Sequence, residues 1–263
     1  MTISRISRPS IGAIGILLAA SAIPLQHAWG NDDEEYHVDY IYGVPFEPSA
    51  AWQLSSGGRI YDNWFNALGI DEPESTHPTW PSTNTTESGS TTWRCKSCHG
   101  WDYKGADGQY GSGDYKTGFA GVSHMTGRTP SDLVKILSDA NHQYSDEMIP
   151  NEARVRIGVF LSEGMHDTDV HIADDGKVLG DAEAGKAVFQ NVCAACHGFD
   201  GRAIDWGDDD EPAFVGTEAK ANPWEVLHKI RNGHPGHEMV SLRAFPIEDA
   251  VNTLAYTQTL PEE

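Results

Sequence analysis

The sequence has little positive charge, and this scarcity limits the partners that it can bind. Its 263 residues contain 18 Lys and Arg against 39 Asp and Glu, so the formal net charge is −21 at pH 7. A strongly acidic surface repels phosphate backbones and anionic lipids. We therefore expect neither nucleic acid nor an anionic membrane surface as a partner. The charge fits a protein partner with a basic docking patch, and it fits equally well a protein kept soluble in a saline or alkaline habitat.

Long apolar runs are also scarce. The run Ile11–Ile23 is too short to span a bilayer comfortably. It follows two arginines and precedes Ala28-Trp29-Gly30, a small-x-small cleavage pattern. We predict a secretory signal peptide over residues 1–30, with an uncleaved N-terminal anchor as the alternative. No later segment is apolar enough to cross a membrane, so we expect no transmembrane anchor after cleavage and a periplasmic location.

Cysteine is scarce as well, and all four copies fall in one motif that occurs twice. The copies are Cys95-Lys96-Ser97-Cys98-His99 and Cys193-Ala194-Ala195-Cys196-His197. C-x-x-C-H is the attachment signal of c-type haem. Two cysteines three residues apart lie on one side of a helical turn, where both sulfurs can bond the vinyl groups of one haem. The adjacent histidine can then ligate the iron.

The alternatives are one shared four-cysteine zinc site or two thioredoxin-type dithiols. Both are disfavoured because each pair carries a histidine and continues with Gly, an aromatic residue and Asp. No thioredoxin-like βαβ pattern surrounds either pair. We therefore predict two covalently bound haem c groups. Their attachment residues are Cys95, Cys98, Cys193 and Cys196, and their proximal iron ligands are His99 and His197.

The predicted elements around the two motifs occur in the same order. Each half has a helix before the motif, a loop after it, a second helix with proline in its first turn, and a closing helix. Gly57–Phe65 and Asp181–Gln190 are the first helices. We divide the chain into a signal peptide (1–30), an N-terminal extension (31–56), a first domain (57–166), a linker (167–180) and a second domain (181–263).

The first half differs by an insert, Ala67–Trp93, between its first helix and Cys95. The insert is rich in Pro, Ser and Thr, a composition that predicts an irregular surface loop. A long loop beside a cofactor is often functional, and a simple lid over the haem edge is an equally good interpretation. The insert and the aromatic N-terminal strip are also candidate docking surfaces.

Each half resembles a small class I cytochrome c domain, in its C-x-x-C-H motif and in the order of its elements. The resemblance implies a mainly α fold with two tandem cytochrome c-like helical domains, rich in loops, with an irregular insert in the first. In this family the first and last helices cross, and an aromatic residue of the first helix packs near an aromatic residue of the last. Tyr61 with Phe160, and Phe189 with Tyr256, are the corresponding pairs.

The resemblance also implies a distal iron ligand from the loop before each closing helix. In the second half we expect Met239, with His234 and His237 as alternatives. In the first half we expect Met148, which mirrors Met239 in preceding the closing helix. Met125, His124 and His142 are its alternatives.

The sequence favours an electron carrier that works between a donor and an acceptor redox protein, with no catalytic residue. The alternatives are a haem enzyme, either a dihaem dehydrogenase of the thiosulfate type or a peroxidase, and a haem subunit of a larger oxidoreductase. The thiosulfate type is disfavoured because no cysteine is free to act as a distal ligand. A peroxidase needs a displaceable ligand, and His124 and His142 leave that option open.

Overall fold

The computed structural model describes residues 43–208 and 211–263, and these belong to one compact unit. The predicted signal peptide and residues 31–42 of the predicted extension lie outside this range. The described part of the chain is mainly α, as predicted: it holds nine α-helices, and its only β structure is two isolated bridges. None of its helices combines the length and apolarity that a bilayer span requires. The helices are α1 (Ala50–Leu68), α2 (Cys95–His99), α3 (Pro130–Ile136), α4 (Asn151–Val159), α5 (Ala182–Val188), α6 (Ala194–His197), α7 (Val215–Ala221), α8 (Pro223–Asn232) and α9 (Ile247–Thr257).

Helix α1 is longer than the sequence predicted, because it begins at Ala50 rather than Gly57. The Ser49 side chain caps it by accepting a hydrogen bond from the Trp52 N–H. The Ser-Ser-Gly-Gly run that follows has weak helix propensity, but it is buried, so tertiary packing stabilises the helix there. The backbone leaves helical geometry at Asn63 (φ −153°, ψ 94°), whose side chain accepts from the N–H three residues later and restarts the helix.

Helices α1 and α4 cross at the predicted place in the first half. A Cβ on Gly57 would overlap the carbonyl oxygen of Arg156, so only glycine permits this approach. Four residues later, Tyr61 packs against Phe160 with ring centroids 5.6 Å apart and an interplanar angle of 43°. The predicted aromatic pair is confirmed.

Helices α5 and α9 make the same crossing in the second half. A Cβ on Gly185 would overlap the carbonyl oxygen of Asn252. Four residues later, Phe189 meets Tyr256 with ring centroids 5.5 Å apart and an angle of 55°. Both halves therefore use a glycine and an aromatic residue, one helical turn apart, to fix the crossing of their first and last helices.

Two segments differ from their predicted form. Residues 167–180 were expected to be a polar linker, yet Ile172 and Val178 are buried in the hydrophobic core of the second half and form a β-bridge with each other. Helix α7 lies between the second motif and α8, where the sequence predicted a loop. In both cases short apolar stretches within polar segments supply the buried contacts.

The two halves are joined where α1 packs against α8. A Cβ on Gly58 would overlap the Asn232 side chain, and Arg59 donates a hydrogen bond to the Asn232 carbonyl (2.7 Å). His228 of α8 is fully buried: its Nε2 lies 2.8 Å from the Gly58 carbonyl and its Nδ1 lies 2.9 Å from the Tyr103 hydroxyl. A carbonyl only accepts, so Nε2 carries the proton. Burial lowers the pKa of His228 to about 4, which keeps the His228 imidazole uncharged at neutral pH.

A buried charge cluster lies at the same joint. The Asp62 carboxylate of α1 is 0% exposed and is paired with Arg94 and with Lys229, whose Nζ is 2.7 Å from Oδ2. Arg94 Nε also donates to the Asp62 carbonyl (2.8 Å). Burial opposes ionisation of Asp62, but the charges of Lys229 and Arg94 outweigh it and hold the pKa of the carboxyl well below its usual range.

We predict that Asp62→Asn lowers the free energy of unfolding by about 3–5 kcal/mol at pH 7, because it leaves two cations without their buried partner. The native pKa of Asp62 is depressed, so its stabilisation is complete above the unfolded-state pKa of about 4 and is lost as the pH falls further. Urea unfolding of both proteins at pH 7 and in steps below pH 4 measures the difference, which should shrink with acidity.

Asp169→Asn is the matched control, because the Asp169 carboxylate is 67% exposed in its ion pair with Lys104. An exposed pair contributes less than about 1 kcal/mol. Equal losses in the two variants, or a loss for Asp62→Asn that is independent of pH, would contradict the prediction.

Candidate functional site

The two C-x-x-C-H motifs share one backbone conformation. The motif helix α2 ends at Gly100 (φ 80°, ψ 160°), and α6 ends at Gly198 (φ 78°, ψ 158°). Each histidine carbonyl accepts a hydrogen bond from the N–H six residues later, Gly105 for His99 (2.9 Å) and Ala203 for His197 (3.0 Å). The two copies are therefore duplicated in structure as well as in sequence.

The first motif lines a cavity of about 410 Å³, within the range of small-molecule and cofactor sites. Cys95, Cys98 and His99 all face it. Its remaining wall is largely apolar, which suits a flat hydrophobic ligand. The apolar residues are Phe119, Val122, Leu133, Ile136, Leu137, Ile157 and Leu161.

Two histidines face each other in this cavity. The rings of His99 and His142 have centroids 6.2 Å apart and an interplanar angle of 28°. His99 Nδ1 lies 2.8 Å from the Ala120 carbonyl, and His142 Nδ1 lies 3.0 Å from the Asp139 carboxylate. Carbonyl and carboxylate oxygens accept, so each Nδ1 carries a proton, and Nε2 is the atom of each ring that could bind a metal.

His99 and His142 are therefore the two imidazoles of this cavity that could together hold a metal ion. Burial lowers the pKa of His99 to about 4, so its imidazole is neutral and able to ligate at pH 7. The residue after His142, Gln143, has φ 56°, a left-handed backbone conformation that residues other than glycine rarely adopt.

The structure does not bring Met148 into the first cavity. His142, His124 and Met125 line it, whereas Met148 packs against the hydrophobic core of the first half. Its backbone N–H is held by Ser145 (3.2 Å). The preference for Met148 is therefore not supported by the geometry, because the chain between α3 and α4 passes the cavity six residues earlier, at His142.

The second motif lines a cavity of about 340 Å³. Cys193, His197, Met239 and His234 face it, whereas Cys196 is exposed and is not part of the wall, and His237 also lies outside it. Met239 packs against the core of the second half, as Met148 does in the first, but unlike Met148 it also lines its cavity. Within the described residues the buried Nδ1 of His197 has no hydrogen-bond partner.

The second cavity is partly walled by the first half of the chain. Asp62, Asn63 and Asn66 of α1 line it, and Arg94 lines both cavities. Sequence reasoning missed these residues, and the only available signal was a basic residue directly before Cys95 in an acidic chain. The two cavities therefore meet at the buried charge cluster.

The geometry excludes a shared zinc site among the four cysteines, because Cys95 and Cys98 line one cavity while Cys193 lines the other. In the described parts of the chain no cluster of three or more His, Cys, Asp or Glu side chains could hold a metal ion. The first cavity offers a haem-type arrangement, with His99 next to the pair Cys95 and Cys98, whereas the second offers His197 and Cys193 with Cys196 outside its wall.

Comparison with known proteins identifies the second half. Residues 180–256 match the family model of cytochrome c oxidase, cbb3-type, subunit III, and the matched segment contains the second motif and Met239. A search of curated proteins found no match. The chain therefore contains a cytochrome c domain, which implies covalently bound haem c and a role in electron transfer.

Proposed function

We propose that the protein is a periplasmic dihaem cytochrome c that carries electrons between redox proteins, with one haem in each cavity. The observation that carries the proposal is the repetition of the second half's geometry in the first. The family match covers residues 180–256, and the first half repeats its glycine–aromatic helix crossing, its motif conformation and a cavity of similar size.

Four residues would hold each haem. Cys95 and Cys98 would attach the first haem, with His99 and His142 as its axial ligands. For the second haem, the attachment residues would be Cys193 and Cys196, and the axial ligands His197 and Met239. The bound haem supplies a reversible one-electron change at its iron. The chain supplies ligands in fixed orientations and apolar walls that exclude water.

The unlike distal ligands favour unlike reduction potentials. A thioether ligand raises the potential relative to a second histidine, so the second haem should be the more oxidising of the two. A carrier is favoured over an enzyme because each cavity contains a candidate for the sixth iron ligand, which leaves no open position for substrate.

The second site supplies a surface for a redox partner. Phe199, two residues after His197, is 75% exposed, and Trp206, which lines the second cavity, is 47% exposed. Asp205, Asp208 and Glu211 lie beside Trp206 in sequence, and their residues are exposed. Exposed aromatic residues beside acidic ones favour a partner with an apolar contact and a basic rim. The matched family is a subunit of an oxidase, so docking to a larger oxidoreductase is the second candidate role.

The number of haems is the first test. We predict that the wild-type protein, produced in cells that mature c-type cytochromes, carries two covalent haems. The double variants Cys95→Ala/Cys98→Ala and Cys193→Ala/Cys196→Ala should each carry one. The intact mass of the denatured proteins measures this directly.

Ser97→Ala is the matched control within the first motif, since the Ser97 hydroxyl is buried without a hydrogen-bond partner among the described residues. It should keep both haems. A wild-type mass with a single haem, or an unchanged mass in the Cys95/Cys98 variant, would refute the dihaem proposal.

The first distal ligand is tested by a pair of variants. His142→Ala should convert one of the two haems to a high-spin form that binds carbon monoxide when reduced, because it removes the imidazole that faces His99. Met148→Ala should leave both haems low-spin. Optical and electron paramagnetic resonance spectra distinguish the two results, and the opposite pattern would restore Met148 as the ligand.

The second distal ligand is tested by Met239→Ala. This variant should lose the near-infrared signature of His/Met ligation and the higher of the two reduction potentials, because the thioether that favours Fe(II) is gone. His237→Ala should keep both, since His237 lies outside the second cavity. A redox titration that retains the higher potential in Met239→Ala would show that another residue is the ligand.

A further inference from the structure

The insert Ala67–Trp93 contacts the chain segment that carries His142. We infer that His77 and Thr79 of the insert are positioning residues that hold His142 in place as the distal ligand of the first haem. The inference rests on the proposed function, because it takes the first cavity to be a haem site. It gives the insert a role that neither a passive lid nor a docking surface requires.

Two successive carbonyl groups of the ligand segment are held by the insert. His77 Nε2 lies 2.9 Å from the His142 carbonyl oxygen, and the Thr79 hydroxyl donates to the Asn141 carbonyl (2.7 Å). A carbonyl only accepts, so His77 Nε2 carries the proton. Its Nδ1 is then free to accept the hydrogen bond that the Thr79 N–H donates (3.1 Å). The two residues therefore orient each other as well as the ligand segment.

The insert is itself fixed at this point. His77 is only 9% exposed, and its N–H donates to the Thr92 hydroxyl (2.9 Å). Its ring packs on Trp93 with centroids 4.2 Å apart, and the Trp93 indole donates to the Ser75 carbonyl (2.7 Å). His77 is therefore a rigid donor, able to fix the position of the backbone that it contacts.

A third contact from the same element reaches the far side of His142. The Tyr144 hydroxyl donates to the Trp93 carbonyl (2.7 Å), and the Trp64 indole donates to the same oxygen (3.1 Å). Residues on both sides of His142 are thus tied to the insert and, through Trp64, to helix α1.

The ligand segment needs this external support because its own backbone is unfavourable. Gln143 is held at φ 56°, a conformation that non-glycine residues adopt only when their surroundings impose it. Within the segment, the Asp139 carboxylate accepts from the backbone N–H groups of Asn141 (2.8 Å) and His142 (3.0 Å). Asp139 orients the ring locally, and the insert fixes where the segment lies.

The test is the double variant His77→Phe/Thr79→Val, which keeps the ring packing and the side-chain volume but removes both donors. The variant loses two hydrogen bonds of ordinary strength. We therefore expect the fraction of molecules in which His142 is detached from the iron to be about tenfold higher than in wild type. Carbon monoxide should bind faster to one haem of the reduced protein, and the low-spin signal of that haem should broaden. Both haems should remain covalently attached.

Three controls make the result specific. Thr86→Val changes an exposed insert residue that uses its backbone N–H to contact Asn84, and it should behave as wild type. His77→Gln, which keeps a side-chain N–H donor, should restore most of the carbon monoxide resistance. Thr79→Val alone is the mildest change, and its rate of carbon monoxide binding should lie between those of wild type and the double variant. It replaces the double variant as the test if the latter folds poorly.

The failure of the inference differs from the failure of the proposed function. If His142→Ala opens the first haem but the double variant binds carbon monoxide as slowly as wild type, the positioning role is refuted and the ligand assignment stands. If His142→Ala changes neither spin state nor carbon monoxide binding, the ligand assignment fails and the positioning role fails with it.

Discussion

The close approach of α1 to two other helices is the constraint on which the rest of the structure depends. Gly57 and Gly58 are adjacent in sequence, yet one touches α4 and the other touches α8. Because neither position carries a side chain, α1 packs on two neighbouring helices at backbone contact distance. The residues one turn later then reach both halves: Tyr61 enters the first core, and Asp62 enters the charge cluster. A larger residue at either glycine would separate elements that wall the two cavities.

The charge cluster makes the relative position of the two halves specific. A fully buried carboxylate is costly unless its partners are held in place, and Asp62 has one partner from each half, Arg94 and Lys229. Sliding α8 along α1 would leave Lys229 or Asp62 unpaired in a region from which water is excluded. Because Arg94 lines both cavities, the same contact that aligns the halves also places a positive charge between the two cavities.

The sequence predicted what local pattern determines and missed what depends on the path of a loop. The aromatic pairs were correctly predicted because a fixed spacing along a helix fixes which residues face each other. Met148 was preferred over His142 by analogy of position before the closing helix. Which residue lines the first cavity depends instead on contacts far apart in sequence, such as His77 with the His142 carbonyl, which no local pattern encodes. The start of α1 was missed for a related reason, since burial overrides the weak propensity of its serines and glycines.

The two halves share one helical plan, and their cavities differ in the segments that precede the motifs. In the second half, α5 continues through a π-helical turn, Phe189–Cys193, directly into the motif. No insert therefore separates the first helix from the motif in this half. In the first half the insert intervenes between α1 and Cys95, and it covers and braces the segment that carries His142. The short connection leaves Cys196 exposed at one site, while the long insert braces the segment that carries His142 at the other. Under the proposed function this asymmetry would give the electron a preferred site, because unlike axial ligands give unlike reduction potentials.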